Sequence, residues 1–149
     1  MADADIQSIL DEVLAQARGS RVTLRLSSVL EVRYESLAPG VPSIFDGAGI
    51  DLGDQPVPKL VKQGRQVVQH DCADCFLDQP QFHRMLAAYG RPGEPMTAQI
   101  VTPVEREGAV LGALSLHVIG GARGWDAGEP ELCRDPRTGV AAELGALLP

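Results

Sequence analysis

The sequence predicts an α+β fold, a mainly antiparallel sheet of five to six strands sandwiched by helices. Three observations predict it. An amphipathic run opens the chain and an apolar one closes it, alternating apolar and polar residues recur in pairs of short segments, and 149 residues suit a single core. A chain of this length can bury roughly two thirds of the surface its unfolded form exposes. The composition, 44% hydrophobic and 22% charged, is that of a globular protein rather than a disordered one. One domain is expected over residues 1–149.

From Asp3 to Arg18 the apolar residues Ile6, Ile9, Leu10, Val13, Leu14 and Ala17 recur every three or four positions, so they draw one stripe on a helix that Gly19 ends. Val22, Leu24 and Leu26 then alternate with Arg21, Thr23 and Arg25, the pattern of a strand with one face buried and one open. Ser27 and Ser28 suit a turn into a partner strand through Leu30, Val32 and Tyr34, stopped by the Pro-Gly-rich segment after Leu37. Residues 38–58 read as an ordered loop lying over the body of the domain, a candidate lid. A short helix over Pro58 to Gln63, a strand over Arg65 to His70 and a helix over Pro80 to Tyr89 follow. The clearest pair of strands spans Thr97 to Glu105 and Ala109 to Ile119, joined at Arg106-Glu107-Gly108. A closing helix rests on Leu132, Val140, Leu144, Leu147 and Leu148, with Pro136 breaking it early.

The net charge of −7 disfavours nucleic acid and anionic membrane surfaces as partners. With an acidic start that lacks a basic n-region, and no run near ~20 apolar residues, a cytoplasmic location is expected. Three cysteines make an odd count that does not suggest a disulfide scaffold.

The segment MTAQIVTPVEREGAVLGALSLHV followed by ARGWDAGEPEL resembles the ending of GAF domains, and QVVQHD with LDQPQFHRMLAAYG is similar to their middle strand, aspartate and helix. The resemblance implies a GAF/PAS-like sheet with the terminal helices on one face and ligand-covering loops and helices on the other. It implies a receptor for an unidentified small molecule, often dimeric through the terminal helices, that signals to a regulatory protein partner. A stand-alone sensor acting through a partner is expected, without an attached output domain and with no cofactor named. One enzymatic branch, the free methionine-R-sulfoxide reductases, holds the substrate's amine with three acidic groups. Their matching positions are Gln99, Ser115 and His117, and Arg91 to Ala98 contains no cysteine to match its catalytic thiol, so no enzyme is expected.

A period of two puts Ser115 and His117 on one side of their strand, with Gln99 facing them across the hairpin. They read as hydrogen-bonding groups of an apolar pocket for a neutral or anionic ligand, or alternatively as buried polar groups satisfied locally. Tyr34 on the second strand, Asp71 and Cys75 in the middle loop and Phe82 on the following helix complete the expected ligand-binding set. His70, Cys72, Cys75 and His83 form the alternative, a zinc-like metal site, and Cys72 with Cys75 a redox sensor or small reductase. Asp71 and Asp74 beside the thiols argue against thiolate chemistry. Cys133 reads as a core residue.

Overall fold

In a computed structural model, described for residues 2–26, 31–45, 52–53, 55–121, 124–125 and 139–148, the stripe read from the first helix becomes the first layer of the fold. Helix α1, Ala2–Ala17, starts with Asp3 and Asp5 at the positive end of its dipole. Arg18, not Gly19, takes the left-handed conformation that ends it (φ 51°). Gly19 is needed for space instead, since a Cβ there would lie 2.5 Å from the Leu116 side chain.

Five strands follow: β1 Arg21–Leu26, β2 Glu31–Leu37, β3 Val67–Gln69, β4 Met96–Arg106 and β5 Ala109–Ile119. They pair in the order β2-β1-β5-β4-β3, antiparallel at every junction. Glu107 and Gly108 both have positive φ, as a two-residue hairpin turn with matching strand twist requires. Helices α2, Pro56–Lys62, and α3, Pro80–Ala88, each begin with proline, whose missing N–H costs nothing in a first turn. Helix α4 is Val140–Leu147.

The sheet is covered on both faces. Ile6, Leu10 and Val13 of α1 and Ala141 and Leu144 of α4 pack on Val22, Leu24, Ile100, Leu114 and Leu116. On the opposite face Val57 and Val61 of α2 and Phe82, Met85 and Leu86 of α3 join Ile44 and Leu52 against Val67, Val101 and Ala113. Two expectations change as a result. Strand β1 is not half-open: Arg21, Thr23 and Arg25 are all buried, because the second layer closes over the side that the alternation assigned to solvent. The apolar stripe of α1, expected to serve dimer contacts, packs on its own sheet.

The turn at Ser27–Ser28, Cys133, the Leu132–Pro136 part of the closing helix and much of the 38–58 loop lie outside the described residues. No helix among the described residues is long and apolar enough to cross a membrane.

Helix α4 lies so close to β4 that a Cβ at Gly145 would sit 2.4 Å from the Glu105 carbonyl oxygen. Backbone cannot yield as a side chain can, so Gly145→Ala must lift the helix from the sheet, at a cost of about 1–3 kcal/mol. Urea denaturation measures this; a loss below about 0.5 kcal/mol would contradict the close approach.

Candidate functional site

The register of the sheet assembles a polar row on the second face. Arg21 of β1 lies opposite His117 of β5, His117 opposite Gln99 of β4, and Gln99 opposite Gln69 of β3. Directly paired residues project to the same face, so four polar side chains from four strands stand side by side. All four are buried. Ser115 and Thr23, paired one step along, extend the polar area.

Arg21 holds the row to the layer above. One Nη1 N–H donates to the Tyr89 carbonyl at the end of α3 (2.8 Å), Nη2 donates to the Pro42 carbonyl (2.7 Å), and Nη1 also meets His117 Nδ1 at 3.2 Å. Burial pushes its pKa down to about 10, with the Glu35 carboxylate opposing, so the guanidinium stays charged at neutral pH. Because a guanidinium only donates, His117 Nδ1 must accept, and the neutral ring then carries its proton on Nε2. Tyr89 stacks beside the imidazole with ring centroids 6.2 Å apart. Arg25 Nη2 donates to the Tyr89 hydroxyl at 3.0 Å and lies over the ring. At the far end of the row Gln99 Nε2 donates to Gln69 Oε1 at 2.6 Å.

Above the row lies a hollow of about 40 Å³. Gln99, Ser115 and His117 floor it, Arg25 and Tyr89 stand at one side, and Leu52, Val57, Val61 and Met85 supply apolar wall. At about 10–15 Å³ for each water it has room for roughly three. Arg21 Nε, Thr23 Oγ1 and Gln69 Nε2 are buried on the same face without a hydrogen-bond partner among the described residues, a cost of about 1–3 kcal/mol for each group left unpaired.

The other expected ligand residues stand elsewhere. Tyr34 is on the wrong face: the β1–β2 register slips by one residue between Leu24 and Arg25, so Tyr34 pairs with Leu24 on the α1 side and its hydroxyl donates to Asp3. The Asp71 carboxylate accepts from the Ala73 N–H and caps the short 3₁₀ turn Cys72–Asp74. Cys75 Sγ donates to the Asp71 carbonyl, and Phe82 is a core ring packed edge-on against Phe76 at 5.1 Å. None of these four lines the hollow.

Imidazole nitrogens of the alternative metal set are taken up by backbone hydrogen bonds. His70 Nδ1 accepts from the Trp125 N–H, and His83 Nε2 donates to the Cys75 carbonyl. Among the described residues no three His, Cys, Asp or Glu side chains converge as metal ligands would. Cys72 and Cys75 are free thiols. Burial, then the neighbouring Cys75 and Asp71 charges, push the Cys72 thiol up to about 12, far from thiolate at neutral pH.

No protein-family model and no curated protein matches the sequence. Solved structures do match. The third GAF domain of Slr1393 from Synechocystis sp. PCC6803, in its photoproduct state, superposes with a TM-score of 0.75 at 18% identity, covering 97% of this chain and 91% of that one. The blue-light-absorbing form of the PixJ GAF domain from Thermosynechococcus elongatus gives 0.65 at 19% identity, over 98% and 88% of the two chains. The far-red-absorbing dark state of JSC1_58120g3, with bound biliverdin IXα, gives 0.72 at 18% identity, over 99% and 89%. This chain has the GAF-domain fold.

Within the GAF fold the hollow lies between the sheet and the α2–α3 layer. Sequence reasoning missed Arg25 at its side and Arg21 bonded to the His117 that floors it, and treated Tyr89 as a helix-face residue. The signal that would have found the arginines is the pairing of β1 beside β5, which turns the polar side of RVTLRL toward Ser115 and His117.

His117 is held well below the usual imidazole range, first by burial and then by the positive charges of Arg21 and Arg25. Released in the unfolded chain, it titrates near 6.5. Below that pH the unfolded state binds a proton that the folded state excludes, so acid lowers stability with a slope approaching about 1.4 kcal/mol per pH unit. Above it the contribution is constant. The stability of wild type relative to His117→Asn is therefore expected to fall as pH drops below 6.5. Denaturant melts across the range measure it, and a difference that does not vary with pH would contradict a buried neutral imidazole.

Proposed function

We propose that this chain is a non-enzymatic, GAF-type sensing domain that binds a small molecule in the hollow above Gln99, Ser115 and His117 and regulates a partner protein through it. The observation that carries this reading is the row of buried polar side chains facing a hollow with apolar walls, the makeup of a site that orients a ligand by a few polar groups. A structural neighbour with the same fold holds biliverdin IXα. Two features favour binding over catalysis. His117 uses Nδ1 on Arg21, and the Cys72 thiol lies outside the range of nucleophilic chemistry at neutral pH.

A route for the signal is built into the same contacts. Arg21 touches the His117 ring, the end of α3 and the Pro42 carbonyl at once. A ligand that shifts the imidazole changes how the second layer is fastened, and a partner resting on that layer would read the change. The hollow is far below the roughly 300–1,000 Å³ of a drug-sized pocket, so any ligand of that size must displace α2 and the loop before it.

Filling the hollow tests the reading. Ser115→Leu places hydrocarbon where the ligand would lie, and the variant is expected to purify without a small molecule that native mass spectrometry finds on the wild type. The double change Gln99→Ala with His117→Ala should likewise abolish the ligand's shift in Tm. Retention of the same bound mass by Ser115→Leu would place the ligand elsewhere.

A further inference from the structure

Building on the sensing reading, we infer that the hollow recognises a small neutral carboxamide, whose oxygen accepts from His117 and whose N–H donates to Gln99. What the floor leaves unpaired is the first argument. Gln99, Ser115 and His117 line the hollow and are only 3%, 4% and 3% exposed. Arg21 occupies His117 Nδ1, and Gln69 occupies Gln99 Nε2. One atom on each side chain, His117 Nε2 and Gln99 Oε1, is left with no hydrogen bond among the described residues. With Nδ1 accepting, the Nε2 N–H of the neutral ring can only donate, and a glutamine carbonyl oxygen can only accept. A ligand that satisfies both accepts at one atom and donates at another.

The orientation of the Gln99 amide is set from outside the hollow, at Cys72. Its thiol donates to Gln69 Oε1 at 3.8 Å, and burial pushes its pKa up to about 12, so the proton stays on sulfur at neutral pH. The Gln69 amide accordingly turns its oxygen to Cys72, and Gln99 meets that same oxygen with Nε2 at 2.6 Å. Gln99 Oε1 is then the atom left over. Were the Gln69 amide reversed, the thiol would face an N–H, and Gln99 would keep a donor to spare instead of an acceptor. Cys72 is thus a positioning residue, two amides removed from the ligand.

Geometry selects the amide. Gln99 and His117 are direct partners across β4 and β5, and the Cβ atoms of such pairs lie about 4.5–5.5 Å apart. One planar group can reach both. A carboxamide carries an acceptor and a donor on a single carbon, the oxygen matching His117 and the N–H matching Gln99. A carboxylate or a ketone accepts from His117 equally well but brings no hydrogen to Gln99, whose buried carbonyl is then left unpaired. Ser115, able to donate or accept, suits any of them. Leu52, Val57, Val61 and Met85 receive a short alkyl tail, and space for about three waters corresponds to a molecule of a few heavy atoms.

Propionamide, butanone and propionate are alike in size and differ in what stands beside the carbonyl: an amino group, a methyl group or an anionic oxygen. Amide chemical shifts at Gln99, Ser115 and His117 of the full chain, at neutral pH and constant ionic strength, report their binding. Propionamide is expected to bind at least about tenfold more tightly than either of the others, the discrimination of a site built around a hydrogen bond. Cys72→Ala should reduce that preference to within about threefold, and Cys72→Ser, whose hydroxyl still donates, should retain it. Weaker binding of all three probes to Cys72→Ala, with the preference intact, would overturn the part given to Cys72. Should that variant fail to fold, the three probes on wild type still decide the ligand class. Butanone or propionate binding as tightly as propionamide would overturn the carboxamide while leaving the ligand pocket standing. No shift at these residues with any probe would overturn both the carboxamide and the pocket.

Discussion

A guanidinium removed from water must find acceptors, and Arg21 finds them in three parts of the chain that are far apart in sequence. It reaches the carbonyl of Tyr89, the carbonyl of Pro42 and the imidazole of His117. No apolar residue could make these contacts, and a lysine could not fork between them. Meeting the acceptors of one side chain thus brings the end of α3 and the start of the 38–58 loop down onto β1 and β5. The same bonds set the imidazole's tautomer. The chemistry of the floor and the placement of its cover are therefore two results of a single buried cation.

Around that cation the two faces of the sheet follow different rules. The face toward α1 and α4 is mainly hydrocarbon, with Leu10, Leu24, Leu114, Leu116 and Leu144 packed as an ordinary core and its buried Ser36 and Thr102 hydroxyls each in a hydrogen bond. The opposite face mixes an apolar cluster with polar groups from four adjacent strands, and three of its polar atoms, Arg21 Nε, Thr23 Oγ1 and Gln69 Nε2, have no hydrogen-bond partner among the described residues. A sheet needs only one such face to be stable. Polar groups retained under cover, at a cost in desolvation, mark the second face as the one that recognises something.

Much of the frame was legible in the sequence. The β4–β5 hairpin announced itself by long alternation and a glycine in the turn, and the α1 stripe by its spacing. That Gln99, Ser115 and His117 share one side of the hairpin follows from the period of two. What could not be read is what lies on the far side of a strand. RVTLRL has the same pattern whether its arginines meet solvent or a second layer, and only the pairing with β5 distinguishes them. Tyr34 was misplaced by a one-residue slip in register, which puts Val32 opposite Arg25 and Tyr34 opposite Leu24, an irregularity with no signature in the alternation. In the His70–Cys75 cluster, closeness in sequence suggested the alternative metal set; in the structure Asp71 and Cys75 bond within the loop, and His70 accepts from the Trp125 N–H, 55 residues along the chain.

The account rests on Arg21 as the fastening between sheet and cover. Hydrogen exchange of Arg21→Met against wild type tests it most directly. Amides of α2 and α3 should lose protection while those of α1, α4 and the β4–β5 hairpin keep theirs. Equal loss on both sides of the sheet, or none anywhere, would contradict it.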